Sequence, residues 1–390
     1  MGQKPMGRCL HLPRHQIQYR QGRIMITASK SALAAALKIR KSIVETRNTI
    51  PILSNVGFER GASGLQLRMT DLDIEGTVDL AADLDMDFHP FTVAAKLLDD
   101  IVGKLPDGAQ VKIKLDADKT QAIVSSGRSK FQLQVLPLDD LPIMPDFTAD
   151  KPTRCTASGS GLKAALTSVA FAISTEETRY YLNGVFIEPG ADGALLVATD
   201  GHRLAKRWLR IEGVSPDRII LPRKLVTALL AHLPDGDVTL EATDSRISIT
   251  MPGLRIVSKL IDGTFPDYTR VIPQAGAAKA EFEAKAIRPA VERVIVISSE
   301  KGRAVKFKFS DGQLQLSVNN PDAGSAEETI PVEGPLEIEA GFNGKYVLDA
   351  LTHLGDGPLT LAMETAGSPA ILRADGDHEE NLIVLMPMRV

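Results

Sequence analysis

The sequence predicts an α+β protein of three tandem, similar domains, each packing two helices on antiparallel sheet, and three observations point to it. A helical segment closed by a tight turn occurs three times: "AAKLLDDIVGKLPDG" ending at Gly108, "PRKLVTALLAHLPDG" at Gly236 and "NGKYVLDALTHLGDG" at Gly357. An alternating segment ending in a polar pair also occurs three times, as "GLQLRMTD", "GALLVATD" and "GQLQLSVNN". Ahead of each lies an amphipathic stretch. The three glycines stand 128 and 121 residues apart, an ordinary domain length.

In the first copy Leu33, Ala36, Leu37 and Val44 share one helical face while Lys38 points away, although Arg40 falls inside the same stripe. In the second, Leu162, Ala165, Leu166, Val169 and Ile173 share a face; in the third, Ile287, Ala290, Val291 and Val294 do. The turns "LPDG", "LPDG" and "LGDG" stop the second helix of each copy and feed the alternating strands "AQVKIKL", "DVTLEA" and "LTLAM". Each copy therefore reads helix, strands, helix, strands. The links fall near 141–152 and 271–280, where Pro, Gly and Ala replace periodic pattern, giving expected domains at 25–147, 148–274 and 275–390.

A chain of 390 residues, 44% hydrophobic and 24% charged, has room for two or three domains. No run approaches the roughly 18 apolar residues of a membrane helix, so a soluble protein is expected. Two cysteines, Cys9 and Cys155, are too few for a disulfide framework and lack metal-ligand spacing, which suits the reducing cytoplasm. The net charge is −4, yet the first 24 residues hold five cations and no acid, so the remainder carries −9. This head has neither the apolar core of a signal peptide nor a helical stripe and is set outside the fold. Either it is a disordered basic tail or the natural start is Met25.

"VATDGHRLAKRW" (197–208) sets Asp200, His202 and Arg203 within four positions and invites a catalytic reading. The other copies carry "TDLDI" and "NNPDA" at that place, so the histidine belongs to the middle copy alone. Asp71 and Asp73 would lie a domain away, and no HxxxH, CxxC or carboxylate cluster adds metal ligands. Nor is there a GxSxG, a P-loop or a GxGxxG after a strand. The expectation is no catalytic residue, no metal and no cofactor, with Asp-Gly serving as a strand-end turn.

At "NTIPILSN" (48–55), "SGRSKFQL" (126–133), "RYYLNG" (179–184), "VATDGHRLA" (197–205), "SKLIDGTFPDYTRVIP" (258–273), "GFNGKYVLDAL" (341–351) and "MPMRV" (386–390), the chain closely resembles the bacterial DNA polymerase III beta subunit family, the sliding clamps. The resemblance runs from Met25 to Val390. It implies the DNA-clamp fold and a head-to-tail homodimer closing a six-domain ring round duplex DNA, with no preference for sequence. Helices line the hole of such a ring, and two per copy gives the six per chain that it requires. A topological link also suits an acidic body, since local positive charge on inner helices suffices; candidates are Lys30, Lys38, Lys41, Arg47, Lys163, Arg223, Lys224, Lys285 and Arg288.

The same resemblance implies residue roles. Arg47, Arg179, Tyr180, Tyr181, Arg223 and Lys224 would contact DNA. Leu182, Thr199, Gly201, His202, Arg203, Leu204, Pro266, Arg270, Val271, Asn343, Tyr346, Pro369, Met386, Pro387, Met388 and Arg389 would wall a peptide pocket between the second and third domains, with Arg203 or Arg389 holding a polar group at the rim. Its clients would be the DNA polymerase III alpha subunit, the clamp loader, other polymerases and repair proteins. Arg128, Lys130, Phe131 and Leu133 on a first-domain edge strand would meet Val296, Ile297, Glu327 and Glu328 of the other subunit. Two departures from the family pattern are the acidic "STEET" (174–178) and Gly302, where some clamps carry an aromatic residue. Competing readings are a metal-dependent DNA hydrolase built on Asp200 and His202, and a peptide-binding scaffold that never meets DNA.

Overall fold

A computed structural model describes residues 25–45, 47–62, 64–145, 147, 151–190, 192–272, 277–298 and 303–389. The basic head, Gly302 and parts of both expected links lie outside the described residues. Among the described residues there are seven helices: α1 (Lys30–Leu37), α2 (Arg40–Ile43), α3 (Ala95–Lys104), α4 (Gly159–Ala170), α5 (Arg223–His232), α6 (Ala284–Val294) and α7 (Gly344–Leu354). The named strand pairs are antiparallel throughout, as expected. By internal contacts the chain divides into two compact units.

Of the described residues, the first unit comprises 25–37, 50–67 and 79–141. Its strands run in the order Ala82–Leu84, Ile26–Ser29, Gln110–Leu115, Gln121–Ser126, Ser129–Leu136, Phe91–Ala94 and Asn55–Gly61. Helices α1 and α3 pack together, burying Leu33, Ala36 and Leu37 from one and Ala95, Leu98, Ile101 and Val102 from the other. Stacked Phe58 and Phe91, with centroids 4.8 Å apart, sit in the core.

The second unit comprises Lys38–Thr49, Arg68–Val78 and everything from Pro142. One of its sheets orders Glu212–Gly213, Thr153–Ser158, Asp237–Ala242, Arg246–Met251 and Leu254–Lys259, and the last pairs with residues 74–78 of Ile74–Leu80. A second, of eight strands, orders Ile219–Pro222, Gly184–Gly190, Gly193–Thr199, Arg203–Arg210, Leu382–Leu385, Ala370–Ala374, Pro358–Met363 and Ala278–Glu283. Its first four strands come from the second copy and its last four from the third. The remaining sheet orders Gly324–Pro331, Gln313–Asn320, Ala304–Ser310 and Ile338–Asn343.

The repeats have a physical counterpart in one recurring bond. The turn that closes the second helix of each copy accepts an N–H from the start of the first: Lys30 N to Ala109 O (2.8 Å), Gly159 N to Gly236 O (2.8 Å) and Ala284 N to Gly357 O (3.1 Å). In the second copy the approach is so close that a Cβ on Gly159 would stand 2.2 Å from the Pro234 carbonyl oxygen, which requires glycine there.

The predicted apolar faces of α4 and α6 are buried, and Ile173 stays buried just beyond the end of α4. The first stripe needs correction. A single helix from Leu33 to Val44 would turn Arg40 inward. Instead the helix breaks at Lys38–Ile39, and α2 restarts in a new phase that buries Ile39 and Ile43 while Arg40 is half-exposed and Val44 lies past the helix end.

Cys155 lies 3% exposed in Thr153–Ser158, and burial pushes its thiol pKa up to about 11. Thiolate is the reactive form. In a Cys9→Ser background the native protein is expected to give no reaction with a thiol-disulfide reagent at pH 8, and one thiol per chain in denaturant; rapid native labelling would contradict this burial.

Candidate partner-binding site

The "TDGHR" turn is built by its own side chains. Asp200 Oδ1 accepts the His202 and Arg203 amides at 2.9 and 3.0 Å, and the Thr199 hydroxyl donates to Arg203 O at 2.7 Å while accepting from Gly201 N at 3.1 Å. Gly201 adopts φ +87°, and a Cβ there would come within 2.7 Å of the Arg179 guanidinium. The first copy repeats the device. Asp71 accepts from Asp73 N and Ile74 N, Thr70 bonds Ile74 O, and Leu72 takes the left-handed position at φ +82°. The expected strand-end turn is therefore what Asp200 makes. Its carboxylate is occupied, and among the described residues no group of three or more His, Cys, Asp or Glu side chains could hold a metal.

Arg203 points inward. Its Nε donates to Asp200 (3.1 Å), one terminal nitrogen to Asp349 (2.5 Å) and the other to the Phe171 carbonyl (2.7 Å). Its plane lies 4.4 Å from the Tyr346 ring centroid and 5.1 Å from that of Phe171. With each of its three nitrogens engaged and its side chain 11% exposed, it braces the site and does not hold a ligand group at the rim, which corrects that expectation for Arg203; Arg389 is exposed.

Several expected wall residues gather round this turn. His202 stacks on Tyr346 with centroids 6.2 Å apart, and its carbonyl accepts Met386 N at 2.9 Å. Asn343 caps α7 by accepting from Lys345 N and Tyr346 N, and Met388 N donates to Gly341 O. Pro369 directly precedes the strand whose Ala370 pairs with Leu385. Leu182 and Leu204 belong to a buried cluster with Phe186, Val197, Phe265, Tyr268, Leu382 and Val384, against which Val271 and Tyr181 pack. Pro266 and Arg270 are exposed on the adjoining loop, where Arg270 pairs with Asp267, and a cavity of about 650 Å³ opens with Pro266 in its wall. Met386, Pro387 and Met388 remain partly accessible, an adaptable apolar lip. Burial, then the Asp200 charge, raises the Tyr346 hydroxyl pKa, so it stays a neutral donor at pH 7.

A seam of side chains extends from this turn between the second and third copies. Lys206 pairs with Glu380, Arg207 with Asp377, the Trp208 amide donates to Asn381 Oδ1 at 2.7 Å, and Trp208 stacks on His378 at 4.5 Å. Sequence reasoning missed these residues and Phe171, Asp349 and His353. The acidic "ADGDHEE" reads as a solvated hairpin tip, and its cationic partners lie some 170 positions away.

The other expected contacts are scattered. Arg47, Arg223 and Tyr180 are exposed, as are Lys38, Lys41 and Lys163. Arg179 is held by Glu176 at 2.7 Å, so the acidic "STEET" segment neutralises it. Lys224 bonds both Asp71 (2.5 Å) and Glu45; burial alone would lower its pKa, but the two carboxylates outweigh this and raise it. Lys30 pairs with Asp107, and Arg288 with Asp356. On the expected interface, Arg128 and Lys130 are exposed, Phe131 is half-buried and Val296 is 78% exposed beside Ile297. Leu133, two residues on from Phe131 and therefore on the same face of the strand, is 3% exposed within its own core, and that burial takes it out of the contact surface. Glu327 accepts from Gln315, and Arg293 holds Glu328 below the usual carboxylate range.

Comparison with known proteins gives matches along nearly the whole chain. Family models described as the N-terminal, central and C-terminal domains of the DNA polymerase III beta subunit match residues 24–145, 157–267 and 269–389. The Beta sliding clamp of Caulobacter vibrioides is 37% identical over 374 residues, covering 94% of this chain and 100% of that protein. The crystal structure of a DnaN sliding clamp from Bartonella birtlesii bound to griselimycin is similar at a TM-score of 0.86 and 41% identity, over 94% of this chain and 100% of that one. That of the DNA polymerase III subunit beta from Pseudomonas aeruginosa gives 0.88 and 32% over the same shares.

The seam carries a pH signature. Burial acts most strongly on Asp377 and would raise its pKa, but bonds from Asn381 and the His378 amide, with the Arg207 charge, outweigh it and lower the value below 3.8. A depressed folded pKa stabilises the fold fully above the unfolded value and loses that stabilisation as pH falls through the folded one. Asp377→Asn is therefore expected to cost about 1–2 kcal/mol at pH 7. The gap in melting temperature between the two proteins should shrink below about pH 4; a gap independent of pH would contradict the assignment.

Proposed function

This chain belongs to the DNA polymerase III beta subunit family, the sliding clamps, and from that premise we propose that two copies close head to tail into a ring of six similar domains round duplex DNA. The ring tethers the replicative polymerase so that dissociation gives way to sliding. The chain is a processivity factor and not an enzyme. Its domains are 25–147, 148–274 and 275–390, with residues 1–24 outside them. It works in the cytoplasm on the nucleoid, where a clamp loader opens one interface.

The observation that carries this reading is how copies are joined. Leu254–Lys259 continues onto residues 74–78 of the first copy, and Arg203–Lys206 onto Leu382–Leu385 of the third, each as antiparallel sheet. Two of the sheet edges suit a subunit contact. Residues 129–133 have a partner strand on one side only, and Gly324–Pro331 is the end strand of its sheet, among the described residues. Open edges seek pairing. In the proposed ring these two meet across subunits, with Arg128 and Lys130 toward Glu327 and Glu328 and Phe131 against Val296 and Ile297. Contact at both ends of each chain then closes by two-fold symmetry.

Purified protein loaded on nicked circular DNA is expected to stay bound in high salt and to be lost once the circle is linearised. Equal loss from both would overturn the ring. Phe131→Arg is expected to give a monomeric mass by sedimentation and no retention on circles; an unchanged dimer would refute this interface.

DNA inside such a ring needs only loose contacts, which Arg47, Tyr180 and Arg223 supply directly. Arg179, Tyr181 and Lys224 complete the set, with Glu176, Asp71 and Glu45 competing against phosphate for the two cations. The site round Thr199–Leu204 and Met386–Arg389 takes the linear peptides of the DNA polymerase III alpha subunit, clamp loader, other polymerases and repair proteins. Griselimycin serves as a probe of that pocket. Deleting Met386–Val390 is expected to abolish griselimycin binding, read by calorimetry, while leaving the dimer mass unchanged; retained affinity would move the pocket elsewhere.

A further inference from the structure

Arg203 is fixed by groups from three elements, and they form a closed circuit. Asp349 on α7 bonds the guanidinium at 2.5 Å; the guanidinium stacks on Phe171 at 5.1 Å; Phe171 stacks on His353 at 4.3 Å; and His353 Nδ1 lies 2.7 Å from the Asp349 carbonyl, to which it must donate. Asp200, the other carboxylate on Arg203, belongs to the turn itself, so Asp349 is the charged tie between that turn and the third copy. The turn in turn carries Met386, through the bond from Met386 N to His202 O.

We infer that Asp349 is a positioning residue for the partner pocket: it locks Arg203 and so holds the Thr199–Arg203 turn, His202 and the Met386 lip in their binding arrangement. The inference rests on the pocket reading above. Without the Asp349 charge, one terminal nitrogen of a largely buried guanidinium loses its charged acceptor and the stronger bond that goes with it, and Arg203 gains by swinging toward water at the mouth of the site. A ligand must then restore the order that the wild-type protein has already paid for in folding, and affinity falls although no ligand contact has been removed.

The test is a set of griselimycin titrations on the full-length dimer. Asp349→Asn, nearly isosteric, is expected to weaken binding about tenfold, with unchanged dimer mass, and Asp349→Glu to recover most of the loss. The discriminating readout is the Arg203→Met background, where adding Asp349→Asn is expected to change nothing further, because Arg203 is the residue through which Asp349 acts. Undiminished binding by Asp349→Asn overturns the inference, and so does an equal loss in both backgrounds, which a merely structural role for Asp349 would produce. If the wild-type protein itself fails to bind griselimycin, the pocket reading falls and takes this inference with it; wild-type binding with an insensitive Asp349→Asn sinks the inference alone.

Discussion

The pairing of Arg203–Lys206 with Leu382–Leu385 is the constraint on which the site depends, because it fuses four strands of one copy and four of the next into a single sheet. A backbone ladder fixes register, and a slip of one residue would turn every side chain to the other face. With register fixed, Lys206, Arg207 and Trp208 necessarily meet the segment Asp377–Asn381. The turn at one end of the same strand necessarily meets the residues that follow Leu385. The binding lip is thus a by-product of the joint: the chain leaves the shared sheet at Met386 directly against the turn that begins Arg203–Arg210.

The repeats show one local device put to different uses. A threonine and an aspartate close the turn after Gly64–Thr70 and again after Gly193–Thr199, with equivalent backbone amides as donors and a left-handed residue, Leu72 or Gly201, at the same position. In each case the second carboxylate oxygen is left to take a cation. Asp71 uses it on Lys224 at the start of α5, while Asp200 uses it on Arg203, whose other end reaches Asp349 in α7. In the third copy Asn320 accepts from Asp322 N and donates to Ile297 O, next to Val296. The turn that faces a neighbouring copy inside the chain is thus, in the third copy, set beside the edge proposed to meet another subunit.

The sequence revealed what depends on local period and concealed what depends on distant partners. The buried faces of α4 and α6, the ends of α3, α5 and α7 and the strands after them were legible because each is written in a few consecutive residues. Arg40 was the one sign that the first stripe was wrong, since an arginine in an apolar face marks a change of phase, but period alone cannot say where the helix breaks. Leu133 and Phe131 lie two apart and so share one face of the strand, and period alone cannot tell that the domain's own core covers the first fully and the second only in part. The resemblance implies a rim role for Arg203 or Arg389, yet Asp349, the partner of Arg203, lies 146 positions away from it, and no local pattern reports such a bond.

The charge distribution follows from what a sliding protein requires. A body of net charge −9 is poorly suited to holding DNA by phosphate neutralisation, whose strength scales with the number of cations engaged. Several of its candidate cations are, moreover, already engaged by carboxylates: Arg179 by Glu176, Lys224 by Asp71 and Glu45, Lys30 by Asp107 and Arg288 by Asp356. For a protein that bound by adhesion this would be a defect. For one held by closure it lowers the barrier between adjacent positions on the duplex, since each phosphate contact made is offset by an internal pair broken. Persistence then depends on the two subunit edges and not on the affinity of the hole, which is why the proposed ring can combine long residence with easy movement.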